Sequence, residues 1–169
     1  MVLRYNPRVA GTLVVSEIYL SLQGESTFAG LPCVFVRLTG CDLRCSWCDT
    51  AYAFNGGNQM ALEEIRGEIE KQAEGYPGPP LVEITGGEPM LQKETPALMA
   101  GLCDDGYTVL LETSGAHDLT GLDPRVHRII DLKCPASGEH ERNHWANFQD
   151  LRSSDEIKAV IATRDDYTW

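Results

Sequence analysis

Short apolar runs alternate along the chain with amphipathic or turn-rich segments. LVVSEIYLSL (Leu13–Leu22) and CVFVRL (Cys33–Leu38) read as strands. LEEIRGEIEKQA (Leu62–Ala73) sets Leu62, Ile65 and Ile69 at helical spacing on an otherwise charged surface, and GYPGPP stops that helix. LVEIT (Leu81–Thr85) predicts a third strand, followed by a glycine turn and a helix over roughly Lys93–Cys103. YTVLLET (Tyr107–Thr113), RIIDLK (Arg128–Lys133) and IKAVIA (Ile157–Ala162) predict three more strands. This alternation predicts an α/β fold, a mainly parallel sheet with helices outside. No repeat, low-complexity tract or linker divides the chain, so one domain over residues 1–169 is expected.

In such sheets ligands gather beyond the carboxyl ends of the strands. QGES, TGCDLRCSWCDT, TGGEP, ETSG and KCPASG follow the first five strands. Their convergence on one composite site at that rim is therefore expected.

Composition narrows the function classes. A chain of 169 residues that is 43% hydrophobic can bury a core. It has no apolar run of membrane-spanning length, and MVLRYNPRVAGTLVV lacks the layout of an export signal. A cytoplasmic protein without a membrane partner is expected. The formal net charge of −11 repels phosphate backbones, and the densest basic stretch, DPRVHR, has acidic flanks; no nucleic-acid partner is expected.

Of six cysteines, Cys33, Cys103 and Cys134 stand alone, and Cys33 and Cys103 lie in apolar surroundings that predict core thiols. Cys41, Cys45 and Cys48 follow C-x-x-x-C-x-x-C on the loop after the second strand. Thiolate clusters select zinc or iron–sulfur. Closed zinc sites need a fourth ligand, yet His117, His127, His140 and His144 all lie far along the chain, and Asp42 or Asp49 would be an uncommon substitute. Three thiolates on a cubane cluster instead leave one iron open to an outside ligand. Trp47 offers a flat apolar face for an aromatic ring. In TGGEP, Gly86 and Gly87 allow close backbone approach to a ligand, and Glu88 adds an acceptor.

CDLRCSWC with TGGEP resembles the radical S-adenosylmethionine (SAM) superfamily. There three cysteines hold a [4Fe–4S] cluster, SAM chelates the remaining iron, and a 5′-deoxyadenosyl radical abstracts hydrogen from substrate. The resemblance implies an incomplete β6/α barrel with the cluster loop at the carboxyl-end rim. SLQGEST, FVRLTGC, WCDTAYAF, ITGGEPMLQ, LETSG and DLKCPASGE further resemble the 7-carboxy-7-deazaguanine synthase family, over nearly the whole chain. That family converts 6-carboxy-5,6,7,8-tetrahydropterin to 7-carboxy-7-deazaguanine with loss of ammonia, on the route to queuosine and other deazapurines, and uses Mg²⁺.

Carried over residue by residue, this resemblance implies that Leu22, Gln23, Gly24 and Glu25 line the pterin and that Thr85 touches it. Arg37 would grip the substrate carboxylate, and Thr50 would ligate Mg²⁺. Trp47, Cys48, Asp49, Gly86, Gly87 and Glu88 would hold SAM, as would Glu112, Ser114 and the strand end Asp131, Leu132 and Lys133. It also implies an electron donor such as flavodoxin or ferredoxin, and a homodimer. Members of the family continue beyond the sixth strand, where their far C-terminus helps close the pocket. With TRDDYTW at the end of this sequence, a compact or truncated form, or closure from elsewhere, is expected.

Other readings stand beside this one. Arg37 would otherwise serve as a surface ion pair, though it is badly placed for one inside CVFVRLTG, Thr50 as a turn cap, and Glu112 and Lys133 as solvated charges. A glycyl-radical-enzyme activating protein shares the cysteine spacing, though LQGE, Arg37 and CDT speak against it. A structural zinc module is a different class, separated by colour and by metal content.

Overall fold

The computed structural model describes residues 11–169 apart from Pro77 and Pro79. Residues 1–10 of the segment read for an export signal therefore lie outside the described residues, as do two prolines of the GYPGPP stop. Seven strands form one sheet: β1 (Thr12–Leu22), β2 (Pro32–Leu38), β3 (Asn58–Ala61), β4 (Leu81–Gly86), β5 (Val109–Thr113), β6 (His127–Asp131) and β7 (Glu156–Lys158). Their spatial order is β3-β1-β2-β4-β5-β6-β7. The helices are α1 (Leu62–Ala73), α2 (Thr95–Asp104), α3 (Trp145–Gln149) and α4 (Arg164–Thr168). Among the described residues no helix is long and apolar enough to cross a membrane.

From β2 through β7 every pairing is parallel, as expected, and the sheet stays open, a partial barrel. β1 departs from this. It runs antiparallel to β2, with Leu22 opposite Pro32 and Val15 opposite Leu38. The Gln23–Leu31 connection is shorter than the dozen or so residues a parallel crossover requires. QGES therefore lies at the opposite end of the strands from the other four tails, which corrects the expectation of five tails on one rim.

β3 was not legible as a strand. NQMA carries one apolar side chain of any size, and it becomes a strand by pairing antiparallel with the edge of β1. The run Ile157–Ala162 is a strand only to Lys158, because its neighbour β6 ends at Asp131. The last rung is Leu132 N–H to the Lys158 carbonyl at 2.7 Å, and later residues have no ladder to join.

Alternation along the strands separates two interiors. Val34, Val36, Val82, Ile84, Val109, Leu111 and Ile130 point outward and pack with Ile65 and Ile69 of α1 and Leu98, Met99 and Leu102 of α2. Cys33, Phe35, Leu81, Leu110 and Ile129 point inward and form a smaller apolar floor, over which Tyr19 stacks on Phe35 at 5.2 Å. Cys33 and Cys103 are buried thiols of these cores, as predicted. Above the floor the inward positions turn polar, and there the site begins.

Candidate functional site

The cysteine loop leaves β2 through Gly40, whose φ of +99° favours glycine. Its shape is set by contacts on several sides. Leu43 is buried, and its N–H points at the Cys41 sulfur at 3.4 Å. Ser46 donates to the carbonyls of Ser137 (3.0 Å) and Ala136 (2.7 Å), and Arg44 N–H to Glu139 at 2.6 Å. Asp42 is held by the His117 ring at 3.1 Å and by an ion pair with Arg142 at 2.6 Å, so its carboxylate is already engaged. Cys41, Cys45 and Cys48 remain free and half-buried on the inner side.

TGGEP docks against this loop through its backbone. Glu88 N–H donates to the Gly40 carbonyl at 2.7 Å. A Cβ at Gly87 would lie 2.0 Å from that carbonyl oxygen, and one at Gly86 would lie 2.8 Å from the Leu38 carbonyl. The glycine pair is thus required by strand-to-loop packing before any ligand is considered. Glu88 is fully buried, and its carboxylate accepts from Met90 N–H, the Thr113 hydroxyl and Ser114 N–H at 2.7–3.0 Å. Its expected role as a side-chain acceptor for SAM is corrected: the carboxylate ties the ends of β4 and β5 together.

Between the loop and the sheet lies a cavity of about 380 Å³, within the size range of small-molecule sites. Cys41, Cys45, Trp47, Cys48, Asp49 and Thr50 line its upper wall. Gly86, Gly87, Ser114, Asp131 and Lys133 follow on the strand ends. Arg37, Thr85 and Glu112 project from the strands, and Gln23, Gly24 and Glu25 reach it from the opposite end. The loop after β1 thus joins the site by rising inside the barrel. Leu22, 63% exposed, and Leu132 are absent from the lining, so contacts from them to substrate or SAM would have to come through their backbone groups. Both side chains point away because their neighbours along the chain point in.

Arg37 is no surface residue. Its Nε bonds Glu17 at 2.8 Å, and its two terminal nitrogens bond the Gly86 carbonyl and the Tyr19 hydroxyl at 3.2 Å each. Three of its five N–H groups are engaged, and two have no protein partner among the described residues. The bond from Arg37 holds the Glu17 carboxyl below its ordinary range. Thr50 precedes a 3₁₀ turn over Ala51–Phe54 but makes no side-chain cap bond, which removes the turn-cap reading. Burial alone would depress Lys133, yet the Asp131 carboxylate at 2.7 Å holds it above its ordinary value. The second oxygen of Asp131 is buried in the cavity wall without a partner.

Two groups in the cavity went unnoticed in the sequence, Glu83 and Lys158. Each is a lone charge in an apolar strand, in LVEIT and IKAVIA, and that incongruity was the available signal. Lys158 bridges Glu112 and Glu25, the latter at 2.7 Å, while Thr85 donates to Glu112 at 3.3 Å. Burial would raise Glu112, but the Lys158 ammonium and these hydrogen bonds outweigh it and hold it low. Glu83 is 2% exposed and takes a hydrogen bond from the Gln23 amide. Burial, with the neighbouring Glu112 charge, pushes its carboxyl up to about 8.

The partial parallel barrel, the three-thiol loop and the glycine-docked strand end define a radical SAM domain, and the model of the radical SAM superfamily matches residues 35–135. The chain is 51% identical over 156 residues to the 7-carboxy-7-deazaguanine synthase of Koribacter versatilis, covering 92% of this chain and 67% of that protein. It is 47% identical to that of Chlorobaculum tepidum, with 93% and 70% covered. The crystal structure of QueE from Escherichia coli superposes with a TM-score of 0.71 at 25% identity, over 93% of this chain and 75% of that one. The chain belongs to the 7-carboxy-7-deazaguanine synthase family.

Radical SAM chemistry rests on a [4Fe–4S] cluster and SAM, and the residues present fit both. Three free thiols on one wall suit a multi-iron cluster with one open iron. The unpartnered Asp131 oxygen and the cavity-lining backbone of Gly86–Gly87 suit a polar ligand beside it.

Proposed function

We propose that this cavity converts 6-carboxy-5,6,7,8-tetrahydropterin to 7-carboxy-7-deazaguanine with release of ammonia. The observation that carries the reading is Arg37. It stands in the same cavity as Cys41, Cys45 and Cys48 with two N–H groups free for a substrate carboxylate. Cys41, Cys45 and Cys48 would hold the cluster, with SAM on its open iron. Together these groups would supply hydrogen-atom abstraction. Trp47 would flank the adenine, and Asp49, Gly87, Ser114, Lys133 and the free oxygen of Asp131 would position SAM. Lys158 keeps Glu112 ionised, so that Glu112 can accept from a ribose hydroxyl.

On the substrate side Gln23, Gly24, Glu25 and Thr85 would bound the pterin. Thr50, whose hydroxyl is 3.8 Å from the Cys48 sulfur, would place Mg²⁺ between the cluster loop and the substrate. Residues 1–169 act as one domain in this reading. The enzyme draws its electron from a small donor protein such as flavodoxin or ferredoxin, and works as a cytoplasmic homodimer.

Anaerobic incubation of the reconstituted protein with reductant, SAM, Mg²⁺ and the carboxytetrahydropterin is the test. Deazaguanine product and equimolar ammonia are expected. A reduced cluster that gives no turnover would overturn the assignment.

A further inference from the structure

Glu83 stands where a carboxyl is hard to keep. Every residue of β4 is buried, and Glu83 lies midway along its inner face between Leu81 and Thr85. The site's nearby cation is already committed: Lys158 bonds Glu112 and Glu25. Among the described residues Gln23 supplies the one N–H that reaches Glu83. The side chain nonetheless lines the cavity, so it retains acceptor capacity directed at whatever fills that space.

Strand register places this acceptor relative to Arg37. Arg37 pairs with Thr85 and Phe35 with Glu83, so Glu83 is two residues deeper on the neighbouring strand. At about 3.3 Å per residue the separation along the strand is roughly 6.6 Å, the scale of a fused two-ring heterocycle. A carboxypterin has two chemically opposite ends. Its carboxylate needs donors, while its 2-amino group and N3–H are donors needing acceptors. The cavity presents donors at Arg37 and an acceptor at Glu83, in that order from rim to floor.

We propose that Glu83 is a specificity-determining residue whose carboxyl, aimed by Gln23, accepts a hydrogen bond from the 2-amino group of the pterin. This rests on the pterin reading above. A ligand without that donor leaves the buried acceptor unpaired, which is how a polar site rejects close analogues.

The test is a chemical double cycle on holoenzyme loaded with cluster and SAM. Wild type and Glu83→Gln are titrated with the carboxytetrahydropterin and with its analogue lacking the 2-amino group. The variant is expected to bind the full substrate about ten- to a hundredfold more weakly, while both proteins bind the analogue equally. Equal binding of the full substrate by both proteins overturns the inference, as does an equal loss for both ligands, which marks a structural role. Wild type that binds no pterin overturns the pterin reading itself, and this inference with it. If Glu83→Gln does not fold, Gln23→Ala is the second variant. It keeps the carboxyl but not its aim, and the same selective loss is expected.

Discussion

The Gly40 carbonyl accepts the Glu88 N–H at 2.7 Å, and Gly87 lies so close that a Cβ there would stand 2.0 Å from the same oxygen. The cysteine loop and the glycine-rich strand end are therefore one packed unit. Cys41 follows Gly40 directly, so anything that moves β4 moves the first thiol.

Gly87→Ala tests this unit. The added methyl must displace a carbonyl whose place is fixed by β2, and a cost of about 2–3 kcal/mol is expected. That corresponds to a fall in Tm of roughly 5–10 °C for a chain of this size. Iron per chain after anaerobic reconstitution should fall as well. Unchanged iron content with unchanged Tm would show that the loop holds its shape alone.

Arg37→Lys separates charge from shape. Lysine keeps the charge but loses the fork that bonds Glu17, Gly86 and Tyr19 while facing the cavity. Substrate affinity is expected to fall about ten- to a hundredfold, with SAM affinity unchanged. Equilibrium titration with each ligand decides, and parallel losses would place Arg37 in the scaffold.

Asp131→Asn addresses the unpartnered oxygen. The substitution keeps the size of the side chain but removes its charge and weakens its bond to Lys133. SAM binding is expected to weaken about tenfold, the order of one charge-assisted hydrogen bond. Absorbance and iron content should match wild type. Undiminished SAM binding would remove Asp131 from the cofactor site.

Stability should fall with pH because of Glu83. Its carboxyl titrates near 4.5 in the unfolded chain and at about 8 in the fold, so between those values the native state holds a proton that the unfolded state has released. Its contribution is complete below about pH 4.5 and is lost as pH rises through about 8. The groups facing it are Glu112 from β5, Lys158 from β7, the Cys33 thiol from β2 and the Gln23 amide. Denaturant unfolding between pH 5 and 8, compared with Glu83→Gln, isolates the effect: wild type should lose a few kcal/mol that the variant keeps. Parallel pH slopes in the two proteins would show that Glu83 ionises normally.

Much of this protein was legible in its sequence because it is locally encoded. Alternation and apolar runs located β1, β2, β4, β5, β6 and α1, since burial of one face leaves its period in the chain. The cysteine spacing and TGGEP carried the cofactor chemistry for the same reason: each motif is confined to a few consecutive residues. Pairing direction, edges and charge partners were decided only in three dimensions. The shortness of Gln23–Leu31 turned β1 antiparallel and sent QGES up inside the barrel to meet Glu83. NQMA became a strand by meeting the edge of β1, and Ile157–Ala162 stopped pairing where β6 ended. Glu88 looked like a ligand from its motif, but the hydroxyl and N–H groups brought over by β5 claimed its carboxylate. Which charge lies next to which depends on strand neighbours tens of residues apart, and no local pattern records that.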